Sequence, residues 1–413
     1  MPADVLGVWL EGRRIADLER VSDDNLRLRY SEQALDLWPQ NSLIVSCSLL
    51  LSERALAGLP YFRGLLPEGQ ALDAVAARAG LTVNDTFGLL ARYGRDKAAA
   101  LVIGREPPRV ERWDTETYTD EALSEEVGSL EDHPLGIHDD TEMSLAGLQN
   151  KIALVRQEDG LWARPLHGRP STHILKAEDR RWPGMVELEA ACLSLASHLK
   201  LTTIAPELRT FGEIPCVIVD RFDRVVIDGE VERVHQEDLC QAMGIDPFLN
   251  NRRVKYQRNG GGGLSFGDLA ALLDKHAAHP IVELRRLAAV LAFTTSIGNA
   301  DAHGKNISFL HDTTESITLA PLYDTVPTIM FPRLSREFAM SVNGAFSHDR
   351  VALSNLVAEA VSWPLPSQLA HSAVTEAFET IRDAMADGVV QHELLSQVIS
   401  DRTENLLAGK TAH

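Results

Sequence analysis

The stretch that most constrains this chain is Asn299-Ala300-Asp301-Ala302-His303-Gly304-Lys305-Asn306, with Tyr323-Asp324 downstream. Upstream of it, Ile281, Leu284, Leu287, Ala288 and Leu291 recur at helical spacing. That periodicity predicts a helix with one buried face, delivering the loop from its C-terminal end. Downstream, Ile307 to Leu310 and Ser316 to Ala320 are short apolar runs joined by the polar turn His311 to Glu315. This pattern reads as a β-hairpin. Asp324 falls just past the second run. Asp and Asn are ordinary turn residues, so the order helix, Asp-x4-Asn loop, hairpin, Asp is worth more than any one part.

That order suits phosphoryl transfer. Such chemistry needs a carboxylate that orients an acceptor hydroxyl and takes its proton. It also needs a carboxamide oxygen and a second carboxylate to hold Mg²⁺ against nucleotide phosphates. Asp301 fits the first role, and Asn306 and Asp324 the second. The Asp-to-Asn spacing equals that of the protein-kinase catalytic loop. The competing reading is a polar loop that caps a helix.

The chain has 413 residues, 45% hydrophobic and 24% charged, enough for two or three domains. Its net charge of -19 disfavours direct binding of nucleic acid, because phosphate contacts need Lys and Arg. DNA would be reached only through a basic partner. Cys47, Cys192, Cys216 and Cys240 are scattered without a CxxC pair, the usage of buried reduced thiols. No basic region followed by a long apolar run opens the chain, and no uncharged stretch has membrane-spanning length. A cytoplasmic protein without membrane contact is expected.

Residues 1–103 read as an N-terminal α+β docking subdomain. Val5 to Leu10 and Arg14 to Leu18 flank a hairpin turn, and Ile44 to Leu51 is a further strand candidate. Helical patterns follow at Gln70 to Ala79 and Asn84 to Tyr93, then a strand at Ala98 to Ile103. Residues 104–142 read as a solvated acidic connection with one short helix at most. From Glu111 to Glu142 it holds twelve Asp or Glu against the single Arg112. Residues 143–230 form a β-rich small lobe with a helix at Glu187 to Leu199. Residues 231–413 are mostly helical. A β-rich lobe before a helical lobe is the bilobal kinase plan.

Three small-lobe stretches could carry chemistry. The loop Ser144-Leu145-Ala146-Gly147-Leu148-Gln149-Asn150-Lys151 can turn backbone N–H groups toward phosphates, although one glycine is also what any surface turn shows. Lys176 ends a β-type run and could bind phosphate, held by Glu189 or Glu187. Val219-Asp220-Arg221-Phe222-Asp223-Arg224 leaves the lobe as a connector that could meet adenine. Its charges suit a surface salt-bridge turn equally well.

Taken together, the chain resembles the HipA-type toxin kinases, the toxin half of bacterial HipBA toxin–antitoxin modules. The resemblance runs through Ser144 to Lys151, Thr172-His-Ile-Leu-Lys176, Arg221-Phe-Asp-Arg224 and Gln236-Glu-Asp-Leu-Cys240. It continues with Lys255-Tyr-Gln257 and the glycines after it, Asp301 to Asn306, Pro321-Leu-Tyr-Asp324 and Met340-Ser-Val-Asn343. It implies an α+β, bilobal protein-kinase/phosphoinositide-kinase-like fold with an extra N-terminal α+β subdomain and a mostly helical C-terminal lobe. It implies ATP and Mg²⁺, with Asp301 as catalytic base and Asn306 and Asp324 on the metal. Ala146, Gly147, Leu148, Gln149, Asn150 and Lys151 would form the phosphate loop, and Lys176 would bind phosphate. Asp220, Arg221 and Phe222 would contact adenine, while His303, Gly304, Lys305, Asn306 and Tyr323 would line the nucleotide site. Ser144 would be an autophosphorylation site. The implied partners are a HipB-like helix-turn-helix antitoxin and an aminoacyl-tRNA synthetase substrate, glutamate–tRNA ligase-like.

Two other classes fit less well. A small-molecule or lipid kinase of related fold has less use for a docking subdomain. A nucleotide-binding corepressor has no need of intact Asp301, Asn306 and Asp324. A metal hydrolase built on His303 lacks ligand spacing such as H-E-x-x-H.

Overall fold

The runs Val5–Leu10 (β1) and Arg13–Ser22 (β2) pair antiparallel. Their turn residues Glu11 and Gly12 take φ of 50° and 75°, the left-handed pair that matches strand twist in a two-residue hairpin. The computed structural model describes residues 4–22, 25–108, 114–130, 150–228, 230–247, 255–257, 262–312 and 315–413. It divides into two compact units, Met1–Arg180 with Leu208–Asp246 and Thr313–Glu315, and Arg181–Glu207 with Pro247–Asp312 and Ser316–His413. The expected N-terminal subdomain and most of the expected small lobe therefore share the first unit.

In the first unit, Asn25–Tyr30 (β3), Leu56–Ala57 (β4) and Val102–Gly104 (β5) complete a sheet of order β4-β3-β2-β1-β5 among the described residues. Leu6, Val8, Ile15, Leu18, Leu26 and Leu28 form its buried face. The helices Glu32–Leu37 (α1), Leu59–Gly64 (α2), Gly69–Ala79 (α3) and Thr86–Tyr93 (α4) accompany it. Asp85 caps α4 by accepting from Gly88 N at 2.8 Å.

Ile44 to Leu51 is not a strand; it holds an isolated bridge between Ser46 and Leu49. Its polar groups are taken by a distant acid instead. Glu237 accepts from Cys47 N at 2.9 Å and from the Ser46 hydroxyl. Ala98 to Ile103 is extended only from Val102 onward. Ala99 sits at φ 85° because its N–H is drawn to Asp223 Oδ2 at 2.9 Å.

The acidic stretch does more than connect. Thr115–Thr117 (β6) is an edge strand against Trp162–Pro165 (β8), and Asp120–Ser129 (α5) starts on a Thr119 cap. Leu123, Val127 and Leu130 recur at helical spacing and pack with Ile152, Leu154, Leu175 and Ile218. The acids lie on the other face. The second sheet has the order β10-β11-β9-β7-β8-β6 among the described residues. Its remaining strands are Lys151–Arg156 (β7), His173–Ala177 (β9), Pro206–Phe211 (β10) and Ile214–Asp220 (β11). A hairpin of Arg224–Ile227 (β12) and Glu230–Arg233 (β13) follows, then Gln236–Asp238 (β14) and the short helix Leu239–Ala242 (α7).

The second unit is largely helical. It holds Met185–His198 (α6), Phe266–His276 (α8), Pro280–Ile297 (α9), Leu353–Val361 (α10), Ser367–Ala386 (α11) and Glu393–Leu407 (α12). Helix α9 packs against α11, α8 and α12, and its last turns are buried nearly all round. The expected hairpin is Ser308–His311 (β15) with Ile317–Leu319 (β16). A second hairpin, Glu337–Val342 (β17) with Ala345–Ser347 (β18), carries the Met340 to Asn343 motif. All four cysteines are buried. Among the described residues no helix is long and apolar enough to cross a membrane.

Candidate active site

The loop at the end of α9 is held by backbone chemistry that begins with one glycine. Gly298 closes the helix at φ 71°, and its N–H returns to Thr294 and Thr295. A Cβ there would sit 2.1 Å from Ile329 Cδ1, so only glycine fits. Asn299 Oδ1 then accepts from Asp301 N at 2.9 Å. The 3-10 turn Thr328–Met330 lies against this point. Thr328 Oγ1 accepts from Ala300 N at 2.6 Å and lies 3.3 Å from Gly298 O, while Ile329 N donates to Gly298 O at 3.2 Å.

The loop turns back on itself around Asp301. The Asp301 carbonyl accepts from His303 N at 2.8 Å and from Asn306 Nδ2 at 2.9 Å. Donation by Nδ2 turns the Asn306 carboxamide oxygen the other way, available as an acceptor. The Asp301 side chain is 52% exposed, whereas His303 is buried. Lys305 N donates to His303 Nδ1 at 3.2 Å, and Gly304 N donates to Lys255 O at 3.1 Å. Tyr256 OH donates to Asp301 Oδ1 at 2.7 Å.

Tyr323 ties the second acid to the loop. Its hydroxyl donates to Lys305 O at 2.8 Å and lies 2.6 Å from Ser308 Oγ. Leu322 N is bonded to Leu201 O at 3.0 Å. Asp324 follows at φ 50°, a left-handed conformation rare outside Gly and Asn-like residues. Asp301, His303, Gly304, Lys305, Asn306 and Tyr323 thus belong to one bonded neighbourhood of the second unit, and Asp324 is the residue that follows Tyr323 in the chain. Among the described residues no cluster of three His, Cys, Asp or Glu could hold a metal unaided. One carboxamide oxygen and one carboxylate are nonetheless hard oxygen donors suited to Mg²⁺, which takes its other ligands from phosphates and water.

The remaining expected residues belong to the first unit. Lys151 faces Lys176 directly across the β7/β9 ladder, and both are buried. Directly opposed residues share a face of the sheet. Asn150 O accepts from Ala177 N at 3.0 Å, fixing the start of β7. Ser144, Ala146, Gly147, Leu148 and Gln149 lie outside the described residues, as do Gly260 and Gly261. The expected holders of Lys176 fall in the second unit: Glu187 is exposed and Glu189 buried.

The connector differs from a surface salt-bridge turn. Asp220 pairs with His173, and Arg221 N donates to Thr172 O at 2.9 Å. Its side chains then enter the protein interior. Arg221 grips Asp223 with Nε at 2.9 Å and Nη2 at 2.8 Å, and reaches Ser171 Oγ at 2.9 Å and Lys97 O at 2.9 Å. Arg224 donates to Asp96 Oδ1 at 2.8 Å. The Arg221 side chain is therefore committed to this network. Burial alone would raise the Asp96 pKa. Arg221, Arg224 and Arg233 outweigh it and hold the carboxyl below its ordinary value. Burial pushes Lys97 down to about 7. Sequence reading missed both this network and the Tyr256 contact, since each joins residues far apart in the chain.

The comparisons with known proteins agree with one another. Residues 6–104 match the HipA N-terminal domain, and residues 143–389 match the HipA-like C-terminal domain. A putative kinase of Sinorhizobium fredii, Y4mE, is 35% identical over 370 residues, covering 87% of this chain and 84% of that protein. The serine/threonine-protein kinase toxin HipA of Shewanella oneidensis is 29% identical, covering 80% and 77%. A solved chain from the Shewanella oneidensis complex of HipA, HipB and operator DNA superposes with a TM-score of 0.79 at 25% identity, covering 98% of this chain and 96% of that one. The α+β kinase-like fold expected from the sequence is the fold found. With both domains matched in order, the chain belongs to the HipA family of serine/threonine protein-kinase toxins.

Proposed function

We propose that this kinase transfers the γ-phosphoryl group of ATP, with Mg²⁺, to a hydroxyl of an aminoacyl-tRNA synthetase, glutamate–tRNA ligase-like, and to its own Ser144. The observation that carries the reading is the loop geometry. Asp301 has its main chain fixed by three hydrogen bonds while its carboxylate stays exposed. Asn306 is bonded to the Asp301 carbonyl, and Asp324 follows Tyr323, whose hydroxyl donates to Lys305 O.

In this reading Asp301 accepts the proton of the acceptor hydroxyl as its oxygen bonds to the γ-phosphorus and the bond to ADP breaks. The Asn306 oxygen and the Asp324 carboxylate would hold Mg²⁺, which would supply neutralisation of phosphate charge. Lys151 and Lys176 take phosphate oxygens, together with the loop from Ala146. Asp220 to Phe222 serve adenine, chiefly through main-chain groups. His303 to Lys305 and Tyr323 line the nucleotide site. Phosphate on Ser144 adds about −1.5 to −2 charge beside a loop built for anions, which switches the enzyme off.

Residues 1–103 dock macromolecular partners, 104–142 lead into the small lobe at 143–230 and supply it with β6 and α5, and 231–413 form the helical lobe. The net charge of -19 suits a basic, DNA-binding antitoxin of HipB type, and the relative solved with HipB and operator DNA supports that partner. The protein acts in the cytoplasm.

The test incubates wild type and Asp301→Asn with γ-labelled ATP, Mg²⁺ and a panel of tRNA synthetases, then maps phosphosites. Label on Ser144 and one synthetase is expected in the wild type, with a loss of about 10³-fold or more in the variant. Wild-type turnover by Asp301→Asn would remove Asp301 as base. Absence of synthetase label with Ser144 labelled would remove the substrate assignment alone.

A further inference from the structure

The motif Lys255-Tyr256-Gln257 has no role in the function proposed so far. Its geometry gives it one. We infer that Tyr256 is a positioning residue for Asp301, its hydroxyl selecting which carboxylate oxygen meets the acceptor.

The main chain of Asp301 is fixed, but a half-exposed aspartate can still turn about its two side-chain torsions. A base must present its oxygen within hydrogen-bond reach of the acceptor proton. Tyr256 OH, donating to Oδ1 at 2.7 Å, restrains those torsions. A carboxylate has two oxygens; with Oδ1 clamped by the phenol, Oδ2 is the one left for the acceptor.

The clamp is itself anchored on three sides. Lys255 O accepts from Gly304 N at 3.1 Å, inside the same loop. Gln257 N donates to Ala339 O at 2.8 Å, and Gln257 Oε1 accepts from Ser341 N at 2.7 Å, so β17 holds the other end. The Tyr256 ring stands edge-on to His303, with centroids 4.9 Å apart and planes at 82°. His303 is fixed in turn by Lys305 N. Residues 255–257 therefore form a strap from the loop to β17, with the phenol aimed at one atom. A tyrosine present only for packing would need the ring and no such aim.

This inference rests on the reading of Asp301 as base, and the experiment separates the two. The full chain is compared as wild type, Tyr256→Phe, Gln257→Ala, Asp301→Asn and the Tyr256→Phe/Asp301→Asn double variant. Each is assayed for transfer from γ-labelled ATP across a range of Mg·ATP, for Mg·ATP binding by calorimetry, and for thermal melting. Tyr256→Phe keeps the ring against His303 and removes only the donor. Its expected effect is a fall in kcat of about 10- to 100-fold, with KM and Kd for Mg·ATP within about 2-fold and melting unchanged. Gln257→Ala loosens the strap without touching Asp301, and the same split is expected at a smaller size. In the Asp301→Asn background the added Phe should cost nothing further, because the two groups act as one unit.

Wild-type or faster turnover by Tyr256→Phe overturns the inference; the faster case would make the phenol a competitor of the acceptor. A parallel rise in KM with lowered melting also overturns it, as that is the mark of packing. Full activity in Asp301→Asn would sink the base assignment. The kcat loss in Tyr256→Phe, read separately, would then belong to the loop rather than to Asp301.

Discussion

Replacing Asp96 with Ala tests whether the buried network of the first unit holds that unit together. Three guanidiniums, of Arg221, Arg224 and Arg233, face two carboxylates, of Asp96 and Asp223. The variant leaves one. It also takes the acceptor from two Ser171 donors, the N–H and the hydroxyl, which donate to Asp96 Oδ2 at 3.0 and 2.7 Å. Asp96, Arg221 and Arg224 are buried, so water cannot replace the lost acid. Removing one partner of a buried ion pair costs about 3–5 kcal/mol, and the expected loss lies in that range. With a urea m-value of about 3 kcal/mol/M the midpoint of this unit falls by about 1–1.7 M. The assay is urea unfolding by circular dichroism, with hydrogen exchange read at the Ser171 and Ala99 amides, which both donate into the network. Asp96→Asn keeps an acceptor for Arg224 and should lose less. The sign of the pH dependence follows from the lowered pKa. Ionised Asp96 contributes stability above its unfolded value of 3.8, and that contribution is lost as pH falls through the folded value. The gap between wild type and variant should therefore narrow in acid below 3.8. A loss under about 1 kcal/mol, the size of a surface ion pair, would refute the reasoning.

Two further outcomes are expected in the second unit. Gly298→Ala forces a side chain into a left-handed position, at roughly 1–2 kcal/mol, and drives its Cβ to 2.1 Å from Ile329 Cδ1. Melting and turnover should both fall, and a variant that keeps wild-type melting would show that this helix end yields. Asp324→Asn should weaken Mg·ATP binding by about 10-fold or more while leaving metal-free ATP binding unchanged; calorimetry with and without Mg²⁺ reads the difference, and equal loss in both would remove Asp324 from the metal.

What was legible in the sequence was local. Helix α9 followed from the spacing of Leu284, Leu287, Ala288 and Leu291, and the β15/β16 hairpin from two apolar runs around a polar turn. Asp301 and Asn306 share one loop, so their spacing was readable directly. What failed was set from afar. Ile44 to Leu51 has strand composition, but Glu237 claims its polar groups from 190 residues away. Ala98 to Ile103 is interrupted because Asp223 captures the Ala99 amide. The acidic stretch looked solvated by its charge count, which hid the Leu123, Val127 and Leu130 stripe. Arg221 looked like a ligand contact in a charged connector, and only the fold shows its carboxylate and carbonyl partners. Tyr256 lies 45 residues from Asp301, and nothing in its local pattern points there.

The Thr328–Met330 turn stitches Gly298 and Ala300 to the chain just after Asp324. The segment bearing Asp301 and the segment bearing Asp324 are thus cross-linked within a few residues of both acids. Neither segment can shift without dragging the other, so a change of position at one acid is felt at the other through Gly298 and Thr328, although neither of these two residues carries an ionisable group.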